Sequence, residues 1–305
     1  MKNRLLIGTR GSTLALAQTN EVIVTLKRIV PHLSYDIVQI RTRGDKIHEQ
    51  EAPALEGKSI YTKEIEDALI DGKVDVAVHS MKDLTTDLPR GLVIAAVPER
   101  LNPRDALISR EKSKLDQLPG KARVGTSSPR RKAQLSARRG DLEIMDMHGN
   151  VDTRLKKLEK GECDAIVLAA AGLIRLKLER NVTEYLSPEV MLPAVGQGAL
   201  AVETRESASE IREIISEINN ESTQIAVDAE RAFAQRLGAD CRTPIAAYAR
   251  LEAGELVISG LVATSNGSML VRSQIASKEI VPRKVGRELA EVLLNKGAAA
   301  ILEAT

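Results

Sequence analysis

The sequence predicts an α/β protein: two α/β lobes facing a cleft, followed by a small α+β C-terminal domain with a three-stranded antiparallel sheet. Three observations predict it. Short apolar strands alternate with amphipathic helices through the first two-thirds of the chain. One succession of strand, glycine turn and helix occurs there twice, and the last third changes to a helix, three strand-like runs and a helix. Alternation of this kind builds mainly parallel sheets with right-handed crossovers.

Taken in order, Leu5-Leu6-Ile7 is a strand entering the turn Gly8-Thr9-Arg10-Gly11-Ser12, and a helical pattern begins at LALAQTNEVIVTLKRI. The strand YDIVQI leads to Arg43-Gly44-Asp45, and the helix KEIEDALIDG precedes the strand Val74–Val78, with Asp75 at its start. The second copy repeats each step. Arg123-Val124 enters Gly125-Thr126-Ser127-Ser128-Pro129 and the helix RRKAQLSARRG; LEIMDM leads to His148-Gly149-Asn150; TRLKKLEKG precedes Asp164–Ala169. Three matches in one order imply two related lobes, the second with shorter loops. The segment PEVMLPAVGQGALAV, interrupted by Pro193 and two glycines, returns the chain to the first lobe.

A polar-capped helix then begins near Ser222 and stops at Gly238, a C-cap. The runs Ile245–Leu251, Glu255–Thr264 and Ser268–Ser277 follow; Ser265-Asn266-Gly267 between the last two is a hairpin turn. A final amphipathic helix covers Pro282–Leu294. The expected division is residues 1–98 with 195–218 for the first lobe, 99–194 for the second, and 219–305 for the C-terminal domain.

Composition narrows the function. A hydrophobic content of 43% with 28% charged residues describes a soluble globular chain, and with one Phe, four Tyr and no Trp its core is aliphatic and its site is not a stack of rings. The net charge of +2 excludes a general nucleic-acid binder. The longest apolar run, Ile166–Ile174, is too short for a bilayer, and MKNRLLIGTRG lacks a signal-peptide core. Two cysteines, Cys163 and Cys241, are too few for a disulfide framework or a cysteine-rich metal site. The expectation is a cytoplasmic monomer that binds a small molecule, with no metal, nucleic acid or membrane partner.

Nearly every predicted strand exit carries a cation: Arg10, Arg41, Arg43 and Lys82 in the first lobe, then Arg130, Arg131, Lys132, Arg154 and Arg175 in the second. Singly these are ordinary loop residues; jointly they suit a polyanion. The Gly-Thr-Ser-Ser turn before Arg130 adds backbone N–H groups and a helix N-terminus, which cradle carboxylates or phosphates. One acid, Asp83 in VAVHSMKDL, stands among them, to balance charge, cap a helix or stabilise a cationic intermediate. His79 of the same segment sits in the strand pattern and reads as structural. Cys241 has four readings: a small buried hydrophobe, a metal ligand, a nucleophile, or an attachment point. It follows a helix C-terminus, which disfavours a thiolate, while Arg242 favours one; that suits a thiol that reacts once and stays bonded. Cys163, starting a strand in GECDAIVLA, reads as core.

The segments GTRGSTLALAQ, VAVHSMKDL, NPRDALISR, GTSSPRRKAQL, GNVDTRL, LPAVGQGAL and AERAFAQRLGADCRTPI closely resemble the porphobilinogen deaminase (hydroxymethylbilane synthase) family, in order from residue 5 to about 250. The resemblance implies two lobes similar to type II periplasmic binding proteins and a third domain. It implies a dipyrromethane cofactor joined to Cys241 by a thioether, on which four porphobilinogen molecules are condensed head to tail with loss of ammonia. By the same resemblance Asp83, Lys82 and Arg10 are catalytic. Ser80, Lys82, Asp83, Thr126, Ser127, Ser128, Arg130 and Arg131 hold the cofactor with Cys241. Arg10, Ser12, Gln18, Lys58, His148, Arg154, Arg175 and Gln197 bind substrate. Six pyrrole rings bearing acetate and propionate groups explain the cations and the scarcity of aromatic platforms.

Three departures from the family pattern stand out. Gly-Lys-Gly-Leu-Phe reads Gly57-Lys58-Ser59-Ile60-Tyr61, Pro129 precedes the paired arginines, and the arginine before Gly-Asn-Val is His148. An imidazole is charged only part of the time at neutral pH, so either His148 makes the contact less strongly or Lys156 or Lys157 supplies the charge. The rival class is a non-enzymatic two-lobed binding protein for a polycarboxylate. It explains the repeat and the cations but neither the third domain nor Cys241.

Overall fold

The computed structural model describes residues 3–45, 61–238 and 243–303, and the chain divides into two compact units, 1–101 with 199–224 and 102–198 with 225–305. Unit 1 opens with β1 (Arg4–Thr9), α1 (Thr13–Ile29), β2 (Ser34–Gln39), α2 (Lys63–Ile70), β3 (Val76–Ser80) and β4 (Leu92–Ala96). Unit 2 begins with β5 (Asp105–Ser109), β6 (Arg123–Gly125), α3 (Pro129–Arg138), β7 (Glu143–Met145), α4 (Val151–Glu159), β8 (Ala165–Ala169), α5 (Ala170–Arg175) and β9 (Glu184–Leu186). The chain re-enters unit 1 as β10 (Leu200–Arg205) and α6 (Ser209–Ser216).

Helix α1 shows how local sequence sets an element. Ser12 sits extended before it and its Oγ accepts from the Ala15 N–H, satisfying one of the first-turn donors. Ala15, Gln18, Thr19, Val22, Ile23 and Leu26 recur at helical spacing, so one face is buried. That face meets Leu5 and Ile7 of β1, Val76 and Val78 of β3 and Val202 of β10 in an aliphatic core.

The two five-stranded sheets have one plan. Unit 1 runs β2-β1-β3-β10-β4 and unit 2 runs β7-β6-β8-β5-β9. In each sheet the fourth strand is antiparallel to both neighbours while the first three are mutually parallel. Four of the five strands in each sheet therefore run one way, but the reversed strand makes half of the pairings antiparallel, where mainly parallel sheets are expected from the sequence. A detail confirms the repeat. Leu6 N donates to Asp75 Oδ2 at 3.1 Å and Arg123 N to Asp164 Oδ2 at 2.8 Å. The return bonds, Asp75 N to Leu6 O and Asp164 N to Arg123 O, are 2.8 and 2.9 Å.

Unit 2 also contains a three-stranded antiparallel sheet, β11 (Ile245–Glu252), β12 (Glu255–Ala263) and β13 (Leu270–Ser277), in that order. Helices α7 (Glu221–Arg236) and α8 (Pro282–Leu293) supply Phe233, Val285 and Leu289 to a core with Ile258 and Val262 of β12. Gly286 lets the two helices touch, since a Cβ there would collide with the Ala229 carbonyl oxygen. The expected turn closes β12 onto β13 with Gly267 at φ 71°, and Gly238 after α7 has φ 63°, the left-handed conformation of a C-cap.

Candidate active site

In unit 1, β1 and β3 are parallel neighbours, so their carboxyl ends open on one edge of the sheet, where α/β proteins place ligands. The exit of β1 carries Arg10 and the α1 cap Ser12; the exit of β3 carries Ser80 and then Lys82 and Asp83 in a 3-10 turn, Met81–Asp83. Gln18 Nε2 donates to Ser80 Oγ at 2.7 Å and ties the two exits together. Arg10, Ser12, Gln18, Ser80 and Asp83 share the wall of a cavity of about 60 Å³ with Tyr61 and His79. That volume holds a few waters or the edge of a small ring. Lys82 and Asp83 are exposed on the turn.

Arg10 is held on two sides. Its Nε and Nη2 donate to Asp45 Oδ1 at 3.1 and 2.6 Å, and its guanidinium lies 4.3 Å from the centre of the Tyr61 ring. Asp45 in turn accepts from Thr42 N and Oγ1 at 3.1 and 2.8 Å. Burial pushes the Asp45 carboxyl up, but the Arg10 hydrogen bond and charge outweigh it and hold it below the usual carboxylate range.

In unit 2 the turn after β6 folds onto itself. Thr126 is buried, Ser128 N donates to Thr126 Oγ1 at 3.3 Å, and Ser127 Oγ accepts from Met147 N at 2.9 Å. Pro129 takes the first position of α3, where its missing N–H costs nothing. Arg130 and Arg131 follow in the first turn, a poor place for cations because the helix dipole is positive there. Asp105 compensates. Arg130 Nη1 donates to its Oδ2 at 2.8 Å, and Arg131 Nε to its Oδ1 at 2.9 Å. Gln197 Nε2 reaches the same Oδ1 at 3.2 Å and the Pro103 carbonyl at 2.7 Å.

The sequence places the paired arginines at the start of a helix after a strand exit; in the structure they are only 5% and 6% exposed. Asp105 and the carbonyls of Leu192 and Val167 draw them inward. Two cations against one buried anion, at a helix N-terminus, leave a net positive potential suited to a carboxylate. Burial pushes the Asp105 carboxyl up, yet Arg130 and Arg131 outweigh it and hold it at about 2.

Among the remaining expected residues, Arg154 Nε donates to the Gly149 carbonyl at 2.8 Å and Arg175 Nη2 to the Gly198 carbonyl at 3.3 Å. His148 is exposed between β7 and α4. Cys163 is fully buried, and burial pushes its thiol up, which leaves it a core residue. Lys58 and Cys241 lie outside the described residues. Sequence reasoning did not single out Asp105, Asp45, Glu66 or Glu203. Asp105 had a signal: it opens the apolar run Ala106–Ile108, and a carboxylate drawn into a buried strand needs a partner.

Comparison with known proteins adds the following. Residues 5–213 match a family model described as "Porphobilinogen deaminase, dipyromethane cofactor binding domain", and residues 224–295 match "Porphobilinogen deaminase, C-terminal domain". The chain is 47% identical over 300 residues to the porphobilinogen deaminase of Syntrophotalea carbinolica, covering 98% of this chain and 95% of that one. It is 46% identical over 302 residues to that of Syntrophomonas wolfei, covering 99% and 98%. Solved structures that resemble it include an ancestral arginine-binding protein, at a TM-score of 0.38 and 14% identity over 72% of this chain and 91% of that one. A periplasmic binding protein of Salmonella typhimurium with high arginine specificity gives a TM-score of 0.42 and 11% identity over 71% and 92%.

Proposed function

The chain belongs to the porphobilinogen deaminase family, and from that premise we propose how its residues divide the work. The protein is a transferase, a hydroxymethylbilane synthase of tetrapyrrole biosynthesis. It condenses four porphobilinogen molecules on a dipyrromethane cofactor, releasing ammonia. Among the described residues no helix is long and apolar enough to cross a membrane.

The observation that carries the assignment is the unit 1 pocket, where the exposed carboxylate of Asp83 stands beside Arg10, Ser12 and Gln18. Losing ammonia from porphobilinogen leaves positive charge on the pyrrole. A fixed carboxylate stabilises that charge as it develops, while Arg10 and Ser12 receive the ring carboxylates. Asp83 also accepts and returns the proton at the ring nitrogen, and Lys82 on the same turn is a second cation for the carboxylates.

The residues present fit the cofactor. Its acetate and propionate groups suit the net positive N-terminus of α3, with Ser127, Ser128, Arg130 and Arg131 holding them. When bound, the cofactor supplies the pyrrole carbon to which the first unit is joined. Cys241 is the attachment point, and Lys58, His148, Arg154, Arg175 and Gln197 serve the substrate's carboxylates. Supporting a three-domain division, 1–98 with 195–218, 99–194 and 219–305, is that each part contains one sheet. We also propose a cytoplasmic monomer; the near-neutral charge supports only the lack of a nucleic-acid partner.

Intact-mass measurement tests this. The purified protein should be heavier than its sequence by two pyrrole units, and Cys241→Ser should have the bare sequence mass and make no bilane. A bare wild-type mass with full activity would refute the attachment.

A further inference from the structure

Behind the unit 1 pocket lies a group of three buried ionisable side chains that the reaction does not use directly. Glu66 of α2, His79 of β3 and Glu203 of β10 are 3%, 5% and 0% exposed. His79 pairs with Ala201 and Ala77 with Glu203 across the antiparallel β3–β10 ladder, so His79 and Glu203 are diagonal neighbours on one face. His79 Nε2 lies 3.1 Å from Glu203 Oε2. That face is covered by α2, whose Ile65, Ala68 and Leu69 pack on Ala77 and Leu92 in an apolar layer. Neither Glu66 Oε1 nor Glu203 Oε1 has a hydrogen-bond partner among the described residues.

Two ionised carboxylates with unpartnered oxygens do not survive in such a layer. One takes up a proton instead, as carboxyl pairs in shared sites do. We infer that Glu66 is a positioning residue: it holds a proton in this layer, limits the negative charge buried with Glu203, and so keeps in place the end of β3 that carries Ser80, Lys82 and Asp83. The assignment rests on the reading of the unit 1 pocket as the reacting site. Without that proton one more negative charge stands behind the pocket, and it repels the ligand's carboxylates.

Burial pushes the Glu66 carboxyl up from 4.5 and the Glu203 carboxylate adds to the rise, while the Thr62 hydroxyl and, after it, His79 oppose it. The other charges on the surrounding elements are engaged or face the pocket. On α2, Asp67 pairs with Lys63 and Glu64 with Arg43. On β10, Arg205 pairs with Asp75. Lys82 and Asp83 follow β3, and Arg10 follows β1 and pairs with Asp45. Because the folded state holds this proton more tightly than the unfolded chain, its stabilising contribution is complete below the ordinary glutamate value. It is lost as pH rises through the raised one.

The test compares cofactor-loaded wild type with Glu66→Gln, the permanent analogue of the neutral form, by thermal unfolding between about pH 5 and 9. The variant should gain on wild type as pH rises. Its KM for porphobilinogen should climb less on the alkaline side, with kcat unchanged. A difference in Tm that stays constant across the range overturns the proposal. If the variant does not fold, infrared spectra of wild type with ¹³C-labelled glutamate carboxyls decide it. A neutral glutamic acid band should persist at about pH 6, where exposed glutamates are ionised, and its absence overturns the proposal. Neither the unfolding nor the infrared measurement requires turnover, so either can fail while the enzyme remains a deaminase.

Discussion

Arg131 donates Nε to Oδ1 of Asp105 at 2.9 Å, and both side chains are buried. This bond, with its counterpart from Arg130, holds two cations in place on an otherwise unfavourable helix turn. Asp105→Asn would leave two buried guanidiniums facing a neutral amide. Breaking a buried pair by removing one partner typically costs about 3–5 kcal/mol. The variant should therefore melt roughly 10 °C lower and load cofactor poorly. Since the folded carboxyl sits at about 2 against an ordinary 3.8, its contribution is present above 3.8 and lost as pH falls toward 2. The gap in Tm between wild type and variant should close across that acid window and stay constant above it; a gap unchanged in acid would count against the ion-pair account.

How far the sequence revealed this arrangement differs between the fold and the site. Strands, helices and the repeat were legible because hydrophobic period and glycine turns report local structure directly; even the equivalence of Asp75 and Asp164 was visible before their matching bonds to Leu6 and Arg123. The reversed strands β5 and β10 were not, since strand direction is set by where the chain crosses between units. At the site, the residue types were legible but their partners were not. Arg130 and Arg131 look alike whether a helix turn faces solvent or Asp105, twenty-five residues upstream of the first. Arg10 likewise reads as a free cation until Asp45 and Tyr61 are placed on it. Pairings over long sequence distances have no local signature.

Tyr61 covers Arg10 with its ring. The attraction comes from the ring face, so Tyr61→Phe should behave like wild type. Tyr61→Leu removes a contact of about 0.5–1 kcal/mol and should raise KM for porphobilinogen roughly two- to fivefold, with little change in kcat. Equal KM values for the phenylalanine and leucine variants would show that the stack does not order Arg10.

His148 is exposed, so the contribution to carboxylate binding proposed for it would be a screened surface effect. His148→Arg should lower KM and His148→Gln raise it. Both differences should shrink as ionic strength rises from about 0.01 to 1 M, over which the Debye length falls from ~30 to ~3 Å. If both variants match wild type at low salt, the charge is supplied elsewhere, and Lys156 and Lys157 become the residues to substitute.

Asp83 occupies an exposed position on the 3-10 turn after β3, and its carboxylate lines the cavity with Arg10 and Ser12. A residue held only at the surface contributes little to folding, so Asp83→Asn should unfold within about a degree of wild type. In the role proposed for it, its effect falls on the reaction. An electrostatic stabiliser of developing charge typically contributes ~10²–10³ in rate, and loss of proton transfer at the ring nitrogen adds to that. Single-turnover measurements on cofactor-loaded enzyme should show slower condensation by at least that factor, with substrate affinity nearly unchanged. Asp83→Glu keeps the charge but moves it outward by one methylene, and should recover part of the rate. A near-wild-type rate in Asp83→Asn would reduce the carboxylate to a turn residue, and a large fall in affinity with normal chemistry would make it a binding group instead.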